Sequence, residues 1–525
     1  MTASAGSASA ESARRATGRS AGELTLGRWV RDRASITPAR IAIEYRGEPT
    51  TYAELDARSE RLADALLRLG LRRGDRVASL TGNRPEHVEL FFACAKAGLV
   101  LAPLSWRLAP AELAYQLTDA EPAVLFVEPE RDSLADAALQ AAASTPRRLA
   151  LARAELDALA PAGATTTRDA PADDDDLLLL YTAGTTGRPK GARLTHRNCF
   201  WTNLSLDRTA DLSATDVVLQ MLPQFHVGGW NVQPLLAWWK GATVVLEPKF
   251  DAARALELIE SRRVTTMMGV PANYLFMAGE RRFGDADLSS LRRAIVGGAP
   301  MPEPLLRAWR DRGVEIVQGY GLTEASPNVL CVPPEDAMRR LGWAGKPYPH
   351  VEVALADPES GAPIDGRGSG ELLVRGPGVF AGYWRDPEAT RAALREGWLH
   401  TGDIAERDDE GFYRIRDRIK DMYVSGGENV YPAEVEAALH EHPAVADAAV
   451  IGVPDERWGE AGVAIVVARP GARVDEQDLI AHCRARLAAF KAPRVVRFAE
   501  ELPRSASGKL LKRELRERYS PEGTR

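Results

Sequence analysis

Residues 181–191, YTAGTTGRPKG, gather glycines, threonines and cations into one short string. Gly184 and Gly187 let a backbone turn tightly and aim its N–H groups at an anion. Thr182, Thr185 and Thr186 add hydroxyl donors, and Arg188 and Lys190 add positive charge. That chemistry suits a polyphosphate. The string is not a Walker A loop, which needs Gly-Lys-Ser/Thr after four spacer residues. Pro189 stands where the second glycine should be. An apolar run, Leu177 to Leu180, leads into the string, so the loop is expected on the end of a buried strand.

The string resembles the signature loop of the adenylate-forming superfamily, which includes acyl- and aryl-CoA ligases, luciferases and peptide-synthetase adenylation domains. One position departs from the family's pattern: Ala183 stands where Ser or Thr is usual, while Thr182 keeps one hydroxyl. Motifs in the family's order cover nearly the whole chain from about residue 24. The resemblance implies a role for each. In LPQFHVGGW, 222–230, His226 would sit near the substrate carboxylate, and Phe225, Gly228, Gly229 and Trp230 would line or border the acyl pocket. In VGGAPMP, 296–302, the backbone of Gly298, Ala299 and Pro300 would lie against adenine, because glycine permits close approach of a flat ring.

In QGYGLTE, 318–324, Gln318, Gly319, Tyr320 and Gly321 would border the nucleotide, with Tyr320 stacked on adenine and Thr323 on a phosphate. Glu324 would hold Mg²⁺, a hard cation that takes one or two carboxylates plus substrate phosphates. Asp403, ending WLHTGD, would accept from two ribose hydroxyls. Arg418 resembles a second ribose and phosphate contact, and Lys420 the hinge about which the C-terminal domain turns. Ser425, Gly426 and Gly427 in SGGENVYP would line the path of the pantetheine arm of coenzyme A. Trp458, Phe490, Lys491 and Arg494 are candidates for the CoA nucleotide. Lys509, after the Ser-Gly step of PRSASGKLLKRELRE, matches the family's catalytic lysine, which meets negative charge at the reacting oxygens.

These parts must be held by elements that the sequence also marks. Thr51 and Glu54 have capping-box spacing, and Leu55, Leu62, Leu66 and Leu69 follow on one helical face until Gly70. RVASL, 76–80, reads as a strand, and FFACAKAGLVLAPL, 91–104, as a helix running into a buried strand. Such alternation, continuing to about residue 415, predicts α/β layers around mostly parallel sheets. Residues 129–172 read as a variable surface segment. Beyond DRIKD, 417–421, a shorter α+β pattern begins: helix 432–440, strands near 445–452 and 462–468, and helix 475–487. The expected organisation is a disordered tail at 1–22, an adenylation domain at 23–416, a hinge at 417–420 and a mobile C-terminal domain at 421–525.

Bulk properties narrow the function. A chain of 525 residues exceeds one hydrophobic core. Its 45% hydrophobic and 27% charged content is that of a globular protein. A net charge of −6 argues against a nucleic-acid partner or an anionic membrane. The four cysteines are scattered singly, without metal-ligand or disulfide spacing. No apolar run has the length of a membrane span, and no apolar segment follows Arg14-Arg15, so a cytoplasmic enzyme is expected. The reading is an acid–CoA ligase using ATP, Mg²⁺ and coenzyme A through an acyl-adenylate. Its acid is expected to be a medium- or long-chain fatty acid, because some fatty acyl-CoA synthetases carry a tryptophan gate at the position of Trp230. The alternatives are an aryl or cinnamate-like acid, an acyl-AMP ligase loading a carrier protein, a luciferase-like oxygenase and a non-enzymatic nucleotide binder. The sequence leaves the oligomeric state open, with a homodimer compatible with the reading.

Overall fold

The reciprocal cap expected at Thr51 and Glu54 opens the first long helix. In the computed structural model the Thr51 hydroxyl accepts from the Glu54 N–H, and Glu54 Oε2 accepts the Thr51 N–H at 2.8 Å. Helix Tyr52–Arg68 buries Leu55, Leu62 and Leu66 on one face, and Gly70, at φ +95°, follows its end. The structure describes residues 22–161, 163, 168–182, 189–299, 301–418, 421–425, 428–455, 458–487, 489–504 and 510–519. The expected tail lies outside them except for Gly22.

Among the described residues, two sheets carry the body of the chain. One has six strands in the order Arg147–Ala150, Val124–Val127, Arg76–Leu80, Val100–Leu104, Asp176–Thr182 and Lys190–Thr195, all parallel except the last. The other has nine strands. Its parallel centre runs Thr243–Leu246, Val217–Gln220, Thr266–Gly269, Arg293–Val296, Ile316–Gly321. One hydrophobic cluster joins the two sheets through the helices between them: Leu55, Phe91, Phe92 and Cys199 meet Val77 and Leu178 of one sheet and Val218 and Val244 of the other. Helices covering parallel strands are what the strand–helix alternation predicts.

The parallel pattern stops earlier than expected. Asn328–Cys331 turns back antiparallel to Ile316–Gly321. A separate antiparallel sheet follows, built on Glu352–Ala356, Gly368–Arg375, Trp398–Arg407 and Tyr413–Arg418. Linker length decides the last pair. Only residues 408–412 join the last two strands, too few for the crossover of a dozen or more that parallel neighbours require. Residues 129–172, expected as variable surface, instead carry helices Asp132–Ala141 and Arg153–Leu159 around the edge strand Arg147–Ala150.

The C-terminal sheet has five strands, including the long pair Val445–Asp455 and Gly459–Ala468. Helices Pro432–His440 and Glu476–Arg484 bury Val435, Leu439, Ile480 and Cys483 against it, as their spacing predicts. All four cysteines are buried and unbridged. Among the described residues, no helix is long and apolar enough to cross a membrane.

Arg153 gives the supposed surface segment a structural role. Its guanidinium grips Glu89 with both nitrogens, at 2.6 and 2.9 Å, and Glu89 is only 1% exposed. Burial pushes the Glu89 carboxyl up, against the pull of Arg153. Arg58 also reaches Glu89, at 3.5 Å, so Arg153→Met leaves the carboxylate one weaker partner and is expected to cost about 1–3 kcal/mol near neutral pH. A folded-state pKa above the unfolded value means that protonation favours the folded protein. Stability from Glu89 is therefore present at low pH and lost as pH rises through its folded pKa. The deficit of the variant should shrink as pH falls. Calorimetric midpoints of both proteins across pH check this, and a pH-independent gap would leave only lost packing of the arginine stem.

Candidate functional site

The strand Asp176–Thr182 buries Leu177 to Leu180 and brings Thr182 out at its carboxyl end. It pairs antiparallel with Lys190–Thr195, so Thr182 stands opposite Lys190 across the mouth of the phosphate loop. The loop itself, with Thr185, Thr186 and Gly187, lies outside the described residues. Tyr181 ties the strand end down by donating to Asp119 Oδ2 at 2.7 Å.

Glu324 lies on the short 3₁₀ turn Thr323–Ala325. Two hydroxyls from distant segments donate to its Oε1: Thr182 at 3.3 Å and Tyr383 at 2.9 Å. Lys190 Nζ stands 5.2 Å from the centre of the Tyr383 ring. Burial, then the neighbouring Glu324 carboxylate, pushes the Tyr383 phenol up, so it remains a donor at neutral pH. Tyr383 is a site residue that the motifs do not announce. Its only signal in the sequence is a tyrosine at the end of the glycine-rich GPGVFAGYW, 376–384. Thr182, Lys190, Glu324 and Tyr383 thus bring together one carboxylate, one ammonium and two hydroxyls. A carboxylate supported in this way fits a hard divalent cation that also takes phosphate oxygens.

The strand Ile316–Gly321 carries the second group. Its Tyr320 hydroxyl donates to Asp403 Oδ2. Asp403 is 7% exposed and faces Arg418 in the ladder between Trp398–Arg407 and Tyr413–Arg418. Gly321 is required by close approach: a Cβ there would lie 1.7 Å from the Pro327 carbonyl oxygen, where the chain doubles back. Gly298, at φ +82°, and Ala299 are exposed beside Gly319, which is half-buried; Pro300 lies outside the described residues. Gln318 also has a structural job. Its side-chain oxygen accepts the Met301 N–H and its amide donates to the Trp343 carbonyl, each at 3.3 Å. It therefore shapes the loop after Val296 rather than offering these groups to a ligand.

His226 is half-buried, with Phe225 edge-on to its ring at 4.7 Å. Two expectations around it are corrected. Gly229 leaves no room for an acyl group, since a Cβ would meet the Pro223 carbonyl oxygen at 2.3 Å; it is a glycine because two backbones touch. Trp230 is fully buried, stacked on Phe91 at 4.6 Å, and its indole N–H donates to the Gln224 carbonyl at 2.5 Å. Held on these sides, the ring packs as a core residue does. Gly228 is the open position: a Cβ there would find its nearest atoms 3.8 Å away.

In the C-terminal part, Ser425 is buried on a strand paired with Gly459. The Arg494 guanidinium lies 4.8 Å over the Trp458 ring, so two of the CoA candidates meet. Lys491 instead pairs with Glu434 at 2.8 Å, while Phe490 is 36% exposed. Gly426, Gly427, the hinge residue Lys420 and Lys509 lie outside the described residues, and Arg418 is placed by its backbone alone.

A large α/β part followed by a small α+β part, with these groups on the first, defines an adenylate-forming enzyme. Structural likeness agrees: ATP-bound MatB from Rhodopseudomonas palustris superposes with a TM-score of 0.88 at 36% identity, over 95% of this chain and 99% of that one. Residues 30–384 match the AMP-binding enzyme family and residues 434–509 its C-terminal domain, so the chain belongs to that family. A feruloyl-CoA synthase of Amycolatopsis is 44% identical over 94% of this chain and 99% of its own length. An indoleacetate–CoA ligase of Aromatoleum aromaticum is 41% identical, and the long-chain-fatty-acid–CoA ligase FadD13 of Mycobacterium tuberculosis 40% identical, each over 94% of this chain and 98% of its own length. The chain is an acid–CoA ligase.

The packing of Trp230 yields a direct expectation. Trp230→Ala should lower stability by about 3–5 kcal/mol, the scale for emptying a buried indole site. Trp230→Phe keeps a ring against Phe91 and should leave the acid preference unchanged. Melting curves and an acid panel on both variants check this. A changed chain-length profile without a change in melting would restore the gate.

Proposed function

We propose that this ligase activates a carboxylic acid bearing an aromatic ring, joining it to CoA through an acyl-adenylate. The expectation of a fatty acid rested on Trp230 as a tunnel gate, and that support is gone because Trp230 is locked to Phe91 and Gln224. The observation that carries the aromatic reading is the 44% identity to a feruloyl-CoA synthase along 94% of the chain. A fatty acid stays the second reading, favoured by the 40% identity to FadD13 and the space at Gly228.

The chemistry follows from the site. ATP would lie with its phosphates at Thr182, Lys190 and Glu324, its ribose at Asp403 and its adenine by Gly298 and Ala299. The acid's carboxylate attacks the α-phosphorus, the bond to the β-phosphate oxygen breaks, and pyrophosphate leaves. Lys190 and the phosphate loop hold the departing charge, and Glu324 is the carboxylate that would hold Mg²⁺. When bound, that ion neutralises phosphate charge. In such transfers the protein contributes chiefly positioning and electrostatics. In the second step the CoA thiol attacks the acyl carbon and AMP departs.

We take residues 23–416 as the adenylation domain, 417–420 as hinge and 421–525 as the mobile domain. Tyr413–Arg418 pairs with the antiparallel sheet and Tyr423–Ser425 with the C-terminal sheet, which supports a joint between them. Turning there would withdraw Lys509 and bring in Gly426 and Gly427. Lys509→Ala is accordingly expected to slow adenylate formation by roughly 10²–10³, the scale of one lost transition-state contact. Attack of CoA on supplied acyl-AMP should change far less. Single-turnover rates of the two half-reactions check this, and equal loss in both would sink the two-orientation account.

The acid class is tested with ferulate, indole-3-acetate, octanoate and palmitate. Acid-dependent pyrophosphate release and acyl-CoA yield are measured for each. The aromatic acids should lead in kcat/KM by roughly tenfold or more, the scale of one well-placed contact. A lead for palmitate would replace the proposal with the fatty-acid reading.

A further inference from the structure

Asp403 does not sit on a regular strand. Between Gly368–Arg375 and Trp398–Arg407, Glu371 pairs with Ile404 but Leu373 pairs with His400. Thr401, Gly402 and Asp403 therefore stand opposite Leu372 alone, and the strand bulges at the residue assigned to ribose. A bulge breaks the ladder and leaves backbone groups that need other partners. Gly402 takes φ +70°, open to glycine at little cost.

The missing partners come from side chains. Glu371 Oε1 accepts the Gly402 N–H at 3.1 Å. Thr401 Oγ1 donates to the Leu372 carbonyl at 2.7 Å and accepts the Asp403 N–H at 3.1 Å. The other oxygen of Glu371 lies 2.9 Å from His400 Nδ1. An Arg395 guanidinium nitrogen stands 2.6 Å from the same ring atom, adding positive charge beside the carboxylate. A carboxylate only accepts and a guanidinium only donates, so Nδ1 can donate to Glu371 or accept from Arg395, not both. Glu371 is 8% exposed, and a carboxylate so buried is costly unless its oxygens are satisfied. Oε1 is used within the bulge, at Gly402, and Oε2 faces His400 just before it.

We infer that Glu371 is a positioning residue for nucleotide recognition: it holds the 401–403 bulge in the shape that presents the Asp403 carboxylate to the ribose hydroxyls. This rests on the reading of Asp403 as the ribose contact. Its mark is selective. A residue that merely stabilises the fold lowers activity with every nucleotide alike. A residue that aims Asp403 alters the preference for a nucleotide with both hydroxyls.

The experiment compares kcat/KM for ATP, 2′-deoxy-ATP and 3′-deoxy-ATP in wild type, Asp403→Ala, Glu371→Ala, Glu371→Gln and the double alanine variant. Wild type should prefer ATP by roughly 10–100-fold, the scale for hydrogen bonds to a charged group. Asp403→Ala should erase most of that preference. Glu371→Ala should erase it nearly as far, while KM for the acid and for CoA stays within about twofold. The double variant should discriminate no worse than Asp403→Ala, because two residues acting through one contact are not additive. Glu371→Gln keeps an acceptor for the Gly402 N–H and should fall between wild type and Glu371→Ala. It also carries the test if the alanine variant fails to fold. Retained discrimination in the Glu371 variants, with activity lowered equally for all three nucleotides, would overturn the inference and leave Asp403 intact. Equal discrimination in wild type and Asp403→Ala would overturn the ribose reading itself, and the role of Glu371 with it.

Discussion

One carboxylate gathers the catalytic end of this molecule. Glu324 lies on a short turn, and its Oε1 receives hydroxyls from the end of a buried strand, at Thr182, and from a glycine-rich loop, at Tyr383. Its own backbone carbonyl accepts the Phe380 N–H at 2.9 Å, which pins that loop to the turn a second time. Three chain segments far apart in sequence are thus registered to one another at a charged group. A half-buried charge must be satisfied, and here the satisfying donors are the hydroxyls of Thr182 and Tyr383, two groups that could also meet a phosphate. The remaining architecture supports this meeting: the Leu177–Leu180 strand fixes Thr182, and the close contact of Gly321 with Pro327 fixes the turn.

Much of this was legible from the motifs that carry the family resemblance. Thr182, Lys190, Glu324 and Asp403 stand in motifs whose chemistry demands a hydroxyl, an ammonium or a carboxylate, and the folded chain brings them into two adjoining groups. Helix and strand positions followed from periodicity wherever one face was buried, as in Tyr52–Arg68 and in the C-terminal helices. The sense of the sheets beyond Gly321 was not legible, because apolar strands read alike in parallel and antiparallel order. Only the short linkers, such as 408–412, carried that information.

The residues around His226 show where such reading fails. A Gly-Gly pair beside a tryptophan suggests space and a movable ring. The same letters also describe two backbones in contact and an indole filling the core. At Gly229 and Trp230 the second description holds, and packing that depends on Pro223, Gln224 and Phe91 has no local signature. Tyr383 and Glu371 were missed for the matching reason. Each acts on a motif residue from a distant segment, and nothing in its own neighbourhood states that connection.

The antiparallel sheet that was least expected has the broadest consequence. Its ladder sets Asp403 opposite Arg418. The neighbouring Asp417, also buried, accepts the Ala433 N–H at 2.9 Å, in the first turn of helix Pro432–His440. The position assigned to ribose is therefore one ladder step from a hydrogen bond between the large part and the C-terminal part. That bond satisfies a helix-terminal N–H and places a negative charge at the positive end of the helix. It belongs to one relative orientation of the two parts. If the C-terminal part turns at the hinge proposed at 417–420, this bond must break. The residues proposed for ribose contact and those proposed as the hinge would then share a single short stretch of backbone.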